Sequence, residues 1–349
     1  MAETNYAKEI EKKLIMQLRN VIDELPPYVR TYFRGVSQTA APRTRVGYAY
    51  DIKYFFEYLH ETNPSLSKKE IKDISIDDLE QLTALDFEEY LDYLSYYEKN
   101  GRVYTNDSRG KKRKMSALRT FFSFMYKHDM ISQNVTEKVA MPKLREKAII
   151  RMDVDEVANF LDNVEFGNKL SQRQQMFHEN LKVRDLALLT LMLSTGIRVS
   201  ECVGLNLLDI DFNNARIKVT RKGGYEAFVF FSDEAEIALK EYLKEREKIL
   251  PVEGNEDALF LSSQRKRISV RAVEKLVKKY AMVTTPTKHI TPHKLRSTYG
   301  TELYQETGDI YLVADVLGHK DVNTTKKHYA DMDQDKKRRA RNAVKLRDN

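Results

Sequence analysis

One stretch of this chain, residues 215–220, alternates apolar and polar side chains, and a second short strand-like run follows at 226–231; almost everywhere else the apolar residues recur at helical spacing. That contrast is the tightest constraint on the fold. Alternation puts every second side chain on one face of a strand, whereas recurrence every three to four residues makes one stripe of a helix. In "ARIKVT", Ile217 and Val219 share a face, "EAFVFF" returns after "RKGGY", and the Gly223–Gly224 pair is a hairpin turn signal. A chain with one such hairpin and helical periodicity elsewhere is expected to be mainly α with a small β-sheet.

The first half reads as helices. "TRVGYAYDIKYFFEYLHE" places Val46, Tyr50, Tyr54 and Tyr58, with Phe55, on one stripe expected to face a core. "IDDLEQLTALDFEEYLDYLSYYE" does the same with Leu79, Leu82, Phe87, Leu91 and Leu94. "GKKRKMSALRTFFSFMYKHDMI" runs from a basic leader into a helix whose core face holds Leu118, Phe121, Phe122 and Met125. From Asn134 to Arg151 periodicity fades around Pro142 and charges gather, as in a linker. Beyond it, "VRDLALLTLMLSTG" is apolar nearly all round, as a buried helix is, with Gly196 placed to cap it. Thr291 and Pro292 are suited to the N-cap and first position of a helix, and "DIYLVADVLG" ends on Gly318.

At 349 residues the chain is long enough for two domains. Hydrophobic residues make up 42% and aromatics 10%, enough for globular cores. No apolar run reaches the ~18 residues of a membrane span, and "MAETNYAKEIEKKL" lacks the apolar centre of a signal peptide. A single cysteine, Cys202, excludes an intrachain disulfide and a Cys-based zinc site and suits the cytoplasm. The net charge of +7 is unevenly spread. Residues 51–100 carry 5 Lys/Arg against 13 Asp/Glu, residues 101–150 carry 12 against 4, and residues 251–300 carry 10 against 4. Two basic regions in separate halves suggest two contact surfaces for a polyanion.

There is no Walker loop, dinucleotide fingerprint or helical His-Glu-x-x-His pair. What remains is a set of cations and one hydroxyl: Arg198 after the buried helix, Lys222 at the hairpin tip, His293 and Arg296 three apart on one helix, His319 after Gly318, and Tyr329 ten residues later. Singly, each has an ordinary structural explanation. Together they suit phosphodiester transfer without a metal. Two guanidinium forks match the oxygens of a phosphate under attack, and fixed cations stabilise the charge that develops there. A phenol, with an ordinary pKa of about 10, needs such a site to become a nucleophile. An ammonium can protonate the leaving alkoxide, and imidazoles can donate to the phosphate or relay a proton.

In order, type and approximate spacing, "TGIRVSE", "RKGG", "HKLR", "LGHK" and the Tyr ten residues after His319 resemble the tyrosine recombinase (phage integrase) family. "KMSALRTFFSFMYKHDMISQNV" is similar to the last helices of the core-binding domain in Xer recombinases. The resemblance covers roughly residues 40–332. The longer N-terminal segment and "HKLRSTYGTELY" are most like the XerS branch, which works without a second partner recombinase. Ser297 stands where most Xer proteins have a His, outside the core catalytic set.

The resemblance implies a two-domain clamp of a helical SAM-like core-binding domain and an α-rich catalytic domain. Its parts would be an N-terminal helical extension at 1–38, the DNA-binding core-binding domain at 39–140, a linker at 141–152, the catalytic domain at 153–335 and a basic tail for subunit contact at 336–349. By motif, Arg198 and Arg296 would clamp the scissile phosphate, Lys222 would be the general acid, His293 a base or hydrogen-bond donor, His319 a ligand of a phosphate oxygen and Tyr329 the nucleophile. Glu201 would support Arg198, and His328 has no family role. No metal, cofactor or ATP is implied.

The expected partner is double-stranded DNA with an inverted-repeat site, bound by a homotetramer on two sites, with an activating division protein as a further candidate. Expected DNA contacts are Arg43, Arg45, Lys111, Lys112, Arg113, Lys114 and Arg119 in the first half, and Arg265, Lys266, Arg267 and Arg271 in the second. The implied task is resolution of chromosome dimers. An integrase of a mobile element, a type IB topoisomerase and a DNA-binding protein without catalysis remain as alternatives.

Overall fold

A computed structural model describes residues 5–144, 149–221, 224–319 and 321–323. The chain divides into two compact units, Met1–Lys147 and Ala148–Asn349, at a point inside the segment expected as a linker. Among the described residues no helix is long and apolar enough to cross a membrane.

The first unit is built from α1 (Asn5–Ile22), α2 (Pro27–Gly35), α3 (Pro42–Thr62), α4 (Ile76–Glu80), α5 (Ala84–Tyr93), a short hairpin of β1 (Tyr97–Lys99) and β2 (Arg102–Tyr104), and α6 (Ser108–Lys127). Its core is continuous from the first helix onward. Leu18, Val21, Val29, Tyr32 and Phe33 pack into the same cluster as Phe55, Phe87, Phe121 and Phe122, so α1 and α2, in the segment expected as an extension, contribute to this core. The four expected core positions of α6 are all buried.

The aromatic stripe on α3 is only partly a core stripe. Val46, Phe55 and Tyr58 are buried, but Tyr50 and Tyr54 are 37% and 36% exposed. The buried face is instead Ala49, Ile52, Phe56 and Leu59, with Phe55 beside it. Tyr54 lies on the flank, where its ring faces Lys114 Nζ at 4.2 Å and Lys99 Nζ at 5.4 Å. An amphipathic ring can sit at such a boundary with its hydroxyl wet.

Residues 76–93 form two short helices rather than one, because Thr83 and Asp86 make a capping box that starts α5 afresh. In consequence Tyr90 is fully buried and Leu91 only partly. The β1–β2 hairpin went unanticipated although its signal is present. Asn100 and Gly101 both take positive φ, 52° and 69°, as a two-residue type I′ turn requires.

The second unit contains α7 (Val154–Phe166), α8 (Gln172–His178), α9 (Lys182–Thr195), α10 (Val199–Gly204), β3 (Ile210–Asp211), β4 (Arg216–Thr220), β5 (Glu226–Phe230), α11 (Asp233–Glu247), α12 (Val270–Thr284), α13 (Pro292–Thr307) and α14 (Ile310–Leu317). The expected hairpin is β4–β5, antiparallel, with Ile217 opposite Val229, both buried. The short β3 adds a third strand on the other side of β4. The apolar helix α9 is central: Ala187, Leu188, Leu189, Leu191 and Met192 are all inaccessible, and α7, α11 and α13 pack around it. That is why its sequence shows no polar face.

Candidate active site

Three chain segments converge at the C-terminal end of α14. The first is the turn after α9. Gly196 takes the left-handed conformation, φ 61°, and a Cβ there would stand 2.4 Å from the Tyr299 ring. Only glycine serves both needs. The turn buries Ile197 and brings Arg198 to the start of α10. Glu201, buried in the first turn of α10, accepts from Arg198 twice, from the backbone N–H at 2.9 Å and from Nη1 at 2.8 Å. Arg198 Nη2 donates to Gly318 O at 3.1 Å.

The second segment is α13, which begins at Pro292 after Thr291 as expected. Its first turn presents His293 on the exposed side, and its backbone carbonyl accepts from the Ser297 hydroxyl at 3.1 Å. Arg296, one turn on, is only 5% exposed. It donates from Nη1 to Gly196 O at 2.7 Å and from Nη2 to Leu317 O, tying the turn after α9 to the end of α14.

The third segment is the corner itself. Gly318 caps α14 with φ 62°, and the His319 N–H closes back on Ala314 O at 2.9 Å, leaving His319 half-buried beside the two arginines' carbonyl partners. The last carbonyls of a helix lack intrahelical donors and carry its negative pole. Here they supply part of the counter-charge for the two guanidiniums, and Glu201 adds to it at Arg198. The arrangement can hold an anion, since guanidinium forks fixed before substrate arrives need little reorganisation to stabilise developing charge.

The structure thus brings together Arg198, Arg296 and His319, with His293 on the same helix as Arg296. Lys222, His328 and Tyr329 lie outside the described residues. Cys202, the chain's one cysteine, is fully buried, and burial first, then the Glu201 carboxylate, raises its thiol pKa; it is no competing nucleophile. One residue at this corner was missed. Arg221 donates to Asp315 O and Val316 O of α14, some 94 and 95 residues away in sequence, and only its adjacency to Lys222 hinted at it.

The expected DNA contacts fall into two groups. Arg43, Arg113, Arg265, Lys266 and Arg271 are exposed, while Arg45, Lys111 and Lys112 are half-buried. Lys111 donates to the Ser95 hydroxyl. Lys114, Arg119 and Arg267 point inward instead. Lys114 is 4% exposed and pairs with buried Asp51 at 3.4 Å, a carboxylate it shares with Arg113. Arg119 donates to Thr136 O and Val139 O. Arg267 donates to Val203 O, Leu205 O and Asn206 Oδ1. Charge in the sequence marks a basic region but does not tell a solvent-facing lysine from one that holds a core together. Asp51→Ala would leave Lys114 buried without its hydrogen-bonded carboxylate, and is expected to cost about 3 kcal/mol, read as a lower urea midpoint.

The sequence profile of the phage integrase family matches residues 150–336, more than half of the chain. The chain belongs to the phage integrase family. It is an Xer-type tyrosine recombinase, an enzyme of site-specific DNA recombination. This recombinase is 33% identical to tyrosine recombinase XerS of Streptococcus uberis, over 86% of this chain and 90% of that one. It is also 33% identical to tyrosine recombinase XerC of Caldanaerobacter subterraneus, over 86% and 82%. Among solved structures, XerH bound to a palindromic difH substrate after cleavage superposes with a TM-score of 0.65 at 20% identity, over 94% of this chain and 88% of that one. The Tn1549 transposon integrase in complex with circular intermediate DNA reaches 0.61 at 18%, over 86% and 94%. Both likenesses speak to the fold.

Proposed function

We propose that this recombinase cuts and rejoins DNA through a 3′-phosphotyrosyl intermediate and resolves chromosome dimers at a dif-like site before cell division. Arg198 and Arg296 clamp the scissile phosphate, and His319 donates to one of its oxygens. Tyr329 Oη attacks phosphorus and gives up its proton, with His293 as acceptor or as a further donor to the phosphate. The P–O5′ bond breaks and O5′ takes a proton from the Lys222 ammonium. The phosphotyrosyl linkage conserves the bond energy, so religation to a partner strand needs neither metal nor ATP. The observation that carries this reading is the pair of guanidiniums held on adjacent carbonyls, Leu317 O and Gly318 O, of the two residues before His319.

The assembly we propose is a homotetramer on two inverted-repeat sites, with the basic tail at 336–349 reaching a neighbouring subunit and a division protein as a candidate activator. The matches to curated XerS and XerC recombinases support the Xer-type reading on which this proposal rests. The test is to trap covalent protein–DNA adducts in denaturing detergent from the host and sequence the attached DNA. Adducts at one short inverted repeat near the replication terminus support the reading. A mobile-element junction would make the enzyme an integrase, and scattered adducts would point to topoisomerase behaviour.

The exposed cations Lys266 and Arg271 are proposed phosphate contacts. Neutralising either is expected to flatten the salt dependence of DNA binding by about one unit of slope in log K against log salt. An unchanged slope would remove that residue. Arg267→Ala should instead lower the melting temperature, because its donors hold three acceptors within the fold.

A further inference from the structure

The carbonyls that end α14 accept from three guanidiniums, and the third belongs to Arg221, a residue given no role in the chemistry above. Arg221 sits where β4 leaves the sheet. Its N–H donates to Tyr225 O at 2.7 Å and its carbonyl accepts from Gly224 N–H at 3.0 Å, so its backbone closes the base of the loop whose sequence carries Lys222. Its side chain crosses to α14, donating from Nη1 to Asp315 O at 3.2 Å and from Nη2 to Val316 O at 2.8 Å. It lies over Gly318, where a Cβ would stand 2.2 Å from Nη1. The two carbonyls it takes are chain neighbours of those that hold Arg296 and Arg198. One helix end is therefore a common frame for the loop's base and for both clamp arginines.

We propose that Arg221 is a positioning residue for protonation of the leaving group: by pinning the base of the Lys222 loop to the end of α14, it sets the general acid in register with the phosphate clamp. This rests on Lys222 as the general acid. An acid acts only within hydrogen-bond reach of the atom it protonates, and a hairpin tip without a tether wanders on a scale that matters to rate. Arg221 neither gives nor takes a proton. As the Tyr329 Oη–P bond forms and P–O5′ breaks, the proton on O5′ comes from Lys222. A merely structural Arg221 would slow every substrate alike, whereas a positioning role concerns the leaving group alone.

The test uses the full chain and two nicked duplexes carrying the site recovered from the adducts, one ordinary and one with sulfur in place of the bridging 5′ oxygen. A thiolate departs without protonation, since a thiol is acidic near pH 8.5, whereas an alcohol is not. Arg221→Ala is expected to cleave the ordinary duplex about 100-fold more slowly. It should cleave the sulfur duplex within about threefold of the parent, with DNA binding unchanged. Arg221→Lys, which keeps stem and charge but loses the fork, should recover part of the loss. It carries the same comparison if Arg221→Ala does not fold.

Lys222→Ala runs alongside and should show the same sulfur rescue. If it is rescued and the Arg221 variants are not, or if those variants cleave the ordinary duplex at the parental rate, the positioning role is overturned and the general acid stands. If Lys222→Ala is not rescued by sulfur, the general-acid assignment fails and the positioning role falls with it.

Discussion

Tyr329→Phe is expected to bind its site as the parent does and to form no covalent adduct, a loss of cleavage of about 10⁴-fold or more, the scale seen when a nucleophile is deleted from a group of residues acting as a unit. The change removes one oxygen and leaves the ring, so neither packing nor positive charge is altered. A gel shift reads binding, and a denaturing gel of a nicked site reads the adduct. An adduct that survives would move the nucleophile to another phenol. Tyr225, 64% exposed at the base of the Lys222 loop, would be the first to examine. Loss of binding together with cleavage would show that the substitution disturbs the fold, and the assignment would then rest on the other residues.

The second large effect separates the two clamp arginines. Arg296→Ala is expected to abolish cleavage and also to destabilise the second unit. Its guanidinium is nearly inaccessible and holds Gly196 O and Leu317 O. Deleting it leaves two buried carbonyls without this donor and opens a void, a loss of about 3 kcal/mol. Arg198→Ala should abolish cleavage with a smaller loss of stability, about 1–2 kcal/mol, since its side chain is 36% exposed and the buried Glu201 carboxylate that loses the guanidinium keeps the backbone N–H of residue 198. Urea unfolding and cleavage of a nicked site, measured on both variants, give the comparison. An Arg296→Ala enzyme as stable as its parent would contradict the bridge between the α9 turn and α14. Normal cleavage by either variant would remove that arginine from the clamp.

Much of this molecule was legible from local pattern. The α6 core face, the apolar α9, the Gly196 and Gly318 caps and the β4–β5 hairpin follow from periodicity and turn chemistry, which act over a few residues. The Asn100–Gly101 turn was equally local and was passed over because its flanking strands are three residues each, too short to alternate visibly. Tyr50 and Tyr54 misled for another reason. An aromatic at helical spacing satisfies a core stripe and a boundary stripe equally well, and the choice depends on where Lys99 and Lys114 come to lie.

By itself the sequence determined the class of fold and the inventory of cations and hydroxyl, because residue type, spacing and order are properties of a string. The tertiary structure alone decided that Arg198, Arg221 and Arg296 end on the successive carbonyls of residues 315–318, at the end of α14 and its cap, partners up to 120 residues apart in the chain. It alone decided that Lys114, Arg119 and Arg267 face inward. A guanidinium or ammonium has the same charge wherever it sits. Which acceptor it meets is set by the packing of helices remote in sequence, and that packing leaves no periodicity to read.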